Sequence, residues 1–130
     1  MMNFLEAVKS YFVRWNDFKG RSSRSEYWWA ILFTNIANIV LNMLLTTLQQ
    51  SESVITLVLL LLILGLLLFM LVAIFSLIAR RLHDINKSGW WYLLVFTIIG
   101  MIPLLYWFVQ KGDEADNRFG SDPLAESQND

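Results

Sequence analysis

The sequence predicts an all-α membrane protein. It reads as one membrane domain over residues 1–130, with three transmembrane helices, an N-terminal amphipathic interfacial helix and a flexible polar C-terminal tail. Three observations predict it. The chain is 56% hydrophobic and only 16% charged, where soluble domains carry about 25% charged residues. A chain of 130 residues has too small an interior to hide that much apolar surface from water. The apolar residues also fall into long blocks with aromatic and basic flanks, the pattern of segments that cross about 30 Å of hydrocarbon.

Residues 3–16, NFLEAVKSYFVRWN, place Phe4, Leu5, Val8, Tyr11, Phe12 and Trp15 at helical spacing, with Glu6, Lys9 and Ser10 off that stripe. The segment is charged and too short to span. It suits either a helix lying in the membrane interface or one packed on the chain's own loops. Gly20 and the serines at 22, 23 and 25 then break the pattern, and Ser23 with Glu26 forms a capping-box spacing that starts a helix near Arg24.

The first span covers 27–48, about 33 Å of helix, and opens on Tyr27, Trp28 and Trp29. Asn35, Asn38 and Asn42 recur at spacings of three and four and make one polar stripe on it. Lipid offers amides no hydrogen bonds, so the stripe is expected to face protein as a helix-packing surface. A short QQSES loop leads to the second span, 54–79, which is uncharged and, at about 39 Å, longer than the hydrocarbon core. The third span, 90–109, has aromatic residues at both ends, with Gly100 and Pro103 suggesting a kink. The tail, 110–130, is polar and acidic.

Basic residues orient the chain. Lys9, Arg14, Lys19, Arg21 and Arg24 precede span one, and Arg80, Arg81 and Lys87 separate spans two and three. Only Lys111 and Arg118 lie in the tail. Three spans put the N-terminus in the cytoplasm and the C-terminus in the periplasm. A turn back at Gly100 and Pro103 would bring the tail to the cytoplasmic side.

Three motifs resemble a known family: FKGRSSRSEYWW at 18–29, ARRLHDINKSGWW at 79–91 and DNRFGSDP at 116–123. Together they are similar to the bacterial inner-membrane family called domain of unknown function 805. The resemblance implies a small multi-pass protein of the bacterial inner (plasma) membrane, and no activity. The stretch QKGDEAD at 110–116 departs from the family pattern, which has a Pro-Gly turn there.

The candidate interaction cluster is Arg21, Arg24 and Glu26 before span one with Arg80, Arg81, His83 and Asp84 after span two. The short linker makes the two spans antiparallel neighbours, so both motifs share one membrane face. Arginine–carboxylate pairs there suit a structural clasp that also touches anionic headgroups; a ligand or partner site is the sharper reading. One arginine is expected to pair with Glu26 and the other to reach Asp84 or a lipid phosphate. Asn117, Arg118, Gly120 and Pro123 read as a capped turn, or as a docking motif on the outer face.

No cysteine is present and His83 is the lone histidine, which removes thiol chemistry and a His-rich metal site. His83 and Asp84 have no nucleophile motif beside them. The expectation is a non-enzymatic interaction or scaffold module with a charged cytoplasmic face. No cofactor, metal or nucleic acid is expected. The partners are membrane lipids, anionic headgroups among them, and a second copy or another membrane protein. The alternative is a subunit of an oligomeric transporter or channel.

Overall fold

The computed structural model describes residues 1–125. Its elements are α1 (Phe4–Val13), α2 (Arg24–Leu48), α3 (Val54–Asp84), a 3-10 helix (Gly89–Phe96) and α4 (Ile98–Val109). Local chemistry sets the starts. Asn3 and Glu6 close a reciprocal capping box on α1, Ser23 accepts from the Glu26 N–H, and Ser53 accepts from the Thr56 N–H. The end of α3 is set by Asn86, which takes φ 56°. It returns its N–H to His83 O (3.0 Å), and Lys87 returns its own to Leu82 O (2.9 Å). That is the paired closure of a Schellman motif, with asparagine in the left-handed position.

Two helices, α2 and α3, are long and apolar enough to cross a membrane. Only 6% and 17% of their most apolar windows are buried within the chain, which separates them from core helices of a soluble fold. At about 1.5 Å per residue α3 is about 46 Å long. It outruns the hydrocarbon core, and its buried residues concentrate from Met70 to Asp84. Its last turns are therefore enclosed by protein at the basic end of the molecule.

The third expected span is not continuous, which corrects the three-span reading. Residues 89–96 wind as a 3-10 helix, Thr97 is extended (φ −118°, ψ 136°), and a new helix starts at Ile98. The two pieces are about 16 Å and about 18 Å long, each near half the bilayer core. They run antiparallel as a hairpin. Trp91, near its start, meets Trp107, near its end, with ring centroids 5.8 Å apart, and Lys87 lies over the same Trp107 ring. Irregular backbone in hydrocarbon survives when its polar groups are satisfied. Here Thr97 N–H and Oγ1 both donate to Leu94 O (3.0 and 2.9 Å), and Oγ1 accepts from the Gly100 N–H (3.0 Å). A Cβ on Gly100 would stand 2.8 Å from Leu94 Cβ, so glycine lets the arms close. The bend is thus at Thr97, ahead of Gly100 and Pro103.

The hairpin returns the chain to the basic end, where the described tail meets the N-terminal segment instead of lying at the opposite end of the molecule. The tail is also pinned there rather than flexible as far as it is described: Asp113 N–H donates to Asp84 O at 2.8 Å, and Asn117 and Gly120 pair through their backbones. The expected flexibility of 126–130 lies outside the described residues.

Helix α1 packs on α2 and α3. Ala7 and Tyr11 are buried, and the Tyr11 hydroxyl donates to Met70 O at 2.8 Å. Phe4 meets Trp29, while Phe12 meets Phe33 and Phe69. Its outer face, Leu5 and Val13, stays exposed.

Candidate functional site

The last turn of α3 is a post around which four other segments close: the loop after α1, the start of α2, the end of α4 and the tail. Two consecutive arginines on that post, Arg80 and Arg81, are fully buried. Neighbours on a helix point about 100° apart, so the two guanidiniums enter different networks.

Arg80 faces the α1–α2 loop. Its Nε donates to Ser22 Oγ (3.0 Å), one Nη donates to Arg14 O (2.6 Å), and the other lies 3.7 Å from Glu26 Oε1. Glu26 is 1% exposed and accepts from Ser10 Oγ at 2.7 Å, with Arg14 3.6 Å away. Its carboxylate thus bridges α1, α2 and α3. Arg14 is held in turn by Asp17, through Nε and Nη at 3.0 and 2.8 Å. Burial alone would raise the Asp17 carboxyl, but the Arg14 hydrogen bond and the Gly20 and Lys19 N–H groups outweigh it and hold it at about 2.

Arg81 faces α4. One Nη donates to Asp84 Oδ2 (2.6 Å), and the remaining donors reach Trp107 O, Phe108 O and Gln110 O. Arg24, exposed at the rim, donates to Val109 O at 3.2 Å. The carbonyls that a helix end leaves without partners are therefore met by two arginine side chains. Arg21 completes this network. Its Nε donates to Asp84 Oδ1 (3.1 Å), and its two Nη reach Asp113 O, Ala115 O and Gly120 O. Asp84 is 3% exposed and sits between Arg21 and Arg81.

His83 ties down the same tail. Its Nδ1 is 3.0 Å from Gly20 O, and its ring stacks on Phe119 at 3.8 Å and 3°. Asn117 donates to His83 O at 2.9 Å. The residues 116–123, one reading of which was an outer-face docking motif, lie at the basic end as part of this closure.

Of the seven residues of the expected cluster, six are buried together and Arg24 stands at its edge. Ser10, Arg14, Asp17, Ser22 and Asp113 belong with them and were not singled out from sequence. Asp17, three residues before Gly20 in a turn, carried the clearest unused signal, because Asp caps such turns through backbone N–H groups. The arrangement neutralises buried guanidiniums with carboxylates and with carbonyls of the chain itself. Such charge pairs fix one geometry and cost heavily when a partner is removed.

The Asn stripe lies elsewhere. Asn35, Asn38 and Asn42 are exposed in the single chain. Asn35 and Asn42 each turn an amide N–H onto a carbonyl of their own helix, Ile31 O (2.8 Å) and Asn38 O (2.7 Å). The packing face of α2 is Tyr27, Ala30 and Thr34; Asn38, one turn beyond Thr34, borders a narrow cleft toward Met70 and Ile74 of α3, and Asn35 and Asn42 flank that face.

The family model described as "Protein of unknown function (DUF805)" matches residues 15–121. The chain is 34% identical over 124 residues to "Inner membrane protein YhaI" of Escherichia coli (strain K12), covering 95% of this chain and 96% of that protein. It is 34% identical over 128 residues to "Inner membrane protein YhaH" of the same strain, covering 95% and 97%. No solved structure matches the chain.

Proposed function

The chain belongs to the DUF805 family, and from that premise we propose that it is a non-enzymatic interaction module of the inner membrane that meets its partner through the asparagine face of α2. The observation that carries this is the exposed amide stripe at the middle of a helix long and apolar enough to cross a membrane. Asn35 and Asn42 spend one N–H each on their own backbone. The second N–H and the carbonyl oxygen of each remain for a neighbour, and lipid supplies neither donor nor acceptor. Arg21, Arg80 and Arg81 are buried and engaged by the chain's own carboxylates and carbonyls, which favours the asparagine face over the charged cluster as the contact. The cluster acts as the lock that holds the spans, the hairpin and the tail in one arrangement at the cytoplasmic face.

The chain has no cysteine, so single cysteines report contacts cleanly. Ile39 lies beside the stripe and Val40 about 100° away, and both are exposed. Cross-linking in native membranes with a thiol-attached photoreactive probe, which needs no cysteine on the other side, should capture a partner or a second copy from Ile39→Cys and not from Val40→Cys. The capture should be lost when Asn38 and Asn42 are changed to Leu. Equal capture from both cysteines, or from neither, would reject the asparagine face as the contact.

A further inference from the structure

A cleft of about 430 Å³ opens sideways between the end of α3 and the 3-10 arm of the hairpin. His83 and Ser88 are its polar lining residues, beside Phe18 and Trp90, and Phe75, Ile78, Tyr92 and Leu93 line it farther along α3 and the arm. The axis therefore runs from the basic cap along α3 toward the hydrocarbon, the direction of a lipid whose head lies at the interface. The walls stand close because Gly89 has no side chain: a Cβ there would meet Ala79 Cβ at 2.9 Å.

The chemistry of the polar lining selects the ligand. Gly20 O can only accept, so the His83 nitrogen that meets it at 3.0 Å, Nδ1, carries the proton. On a neutral ring Nε2 is then an acceptor, and it lies on the edge toward Gly89, at 3.8 Å from where a Cβ would be. His83 is 7% exposed, and Phe119 stacks on its ring, so its edge is fixed rather than free to turn.

We propose that this cleft holds one membrane phospholipid with a hydroxyl-bearing head group, the hydroxyl donating to His83 Nε2 and an acyl chain lying against Phe75 and Leu93. This site is separate from the asparagine face and stands whether or not that face is a contact.

The test compares two anionic lipids of equal charge, phosphatidylglycerol, which has head-group hydroxyls, and phosphatidylmethanol, which has none. Purified full-length protein in mild detergent is offered both, and bound lipid is counted by native mass spectrometry. One phosphatidylglycerol should be retained at least about five-fold more than phosphatidylmethanol, a difference of about 1 kcal/mol. His83→Phe keeps a ring against Phe119 and should bring the ratio to about one. Phe75→Ala with Leu93→Ala removes two exposed walls together with the Phe75–Tyr92 ring contact and should lower retention of both lipids several-fold. Equal retention of the two lipids by the unaltered protein would overturn the hydroxyl assignment. Unchanged retention in the double wall variant would overturn the cleft itself, even if His83→Phe fails to fold.

Discussion

Glu26 and Arg80 should be energetically coupled, and a double-mutant cycle measures it. Both side chains are buried, with Arg80 Nη 3.7 Å from Glu26 Oε1. At an effective dielectric of about 20, unit charges at that separation attract by about 4 kcal/mol. Much of this is shared or cancelled. Glu26 also has Arg14 at 3.6 Å and the Ser10 hydroxyl, and Arg80 also has Asp17 at 3.9 Å. Desolvation of both groups opposes the rest. The expected coupling is therefore about 1–2 kcal/mol. Arg80→Gln alone should cost about 3–5 kcal/mol, the range for breaking a buried pair, because the Ser22 and Arg14 carbonyl contacts go too. Glu26→Gln keeps a side-chain oxygen for Ser10 and should cost about 1–3 kcal/mol. The assay is reversible unfolding of purified protein by SDS titrated into mild detergent. The control pairs Glu26→Gln with Arg81→Gln: the carboxylate partner of Arg81 is Asp84, so that cycle should close within about 0.5 kcal/mol. Additivity for Glu26 with Arg80, or equal coupling to both arginines, would refute the division of the two guanidiniums between separate networks.

Three further outcomes are expected. Reporters that work only in the periplasm should be silent when fused at Met1 or after Asp130 and active when inserted in the 49–53 loop; an active C-terminal fusion would contradict the hairpin. Gly112→Ala would place a Cβ onto the Asp84 carboxylate, so the tail should lift, and trypsin should cut at Lys111 and Arg118 several-fold faster than in the unaltered protein. Asp17 titrates at about 2 in the folded chain, below its ordinary 3.8. Its contribution to stability is thus complete above about pH 4 and is lost as the pH falls toward 2. Thermal unfolding in detergent should show that loss, and Asp17→Asn should remove this part of the pH dependence.

Much of the architecture was legible because it follows from local or one-dimensional physics. Ser23 at a cap position, the uncharged run from Val54 and the aromatic residues at 27–29 mark α2 and α3 directly. The hairpin was legible only as an alternative, a turn back at Gly100 and Pro103, since residues 90–109 have the length and hydropathy of a span. Those measures average over the segment and do not see one residue, Thr97, whose hydroxyl can either bond back within a helix or cap a new one. The same limit applies to Arg14 and Ser22, ordinary loop residues in sequence that become partners of Arg80 only when the loop wraps α3.

The sequence by itself determined that this chain lives in a membrane, that the segments of α2 and α3 can cross one, with a third span counted beside them, and that its charges gather at helix ends. Those properties depend on composition and spacing, which burial in lipid reads without reference to distant residues. The tertiary structure alone decided that the third apolar segment turns back, that the tail joins the N-terminal segment, and that Arg21, Arg80 and Arg81 face inward while the asparagines stay exposed. Each of these turns on which carbonyl or carboxylate a buried donor finds, and Arg21 finds its partners more than 60 residues away at Asp84 and more than 90 away in the tail.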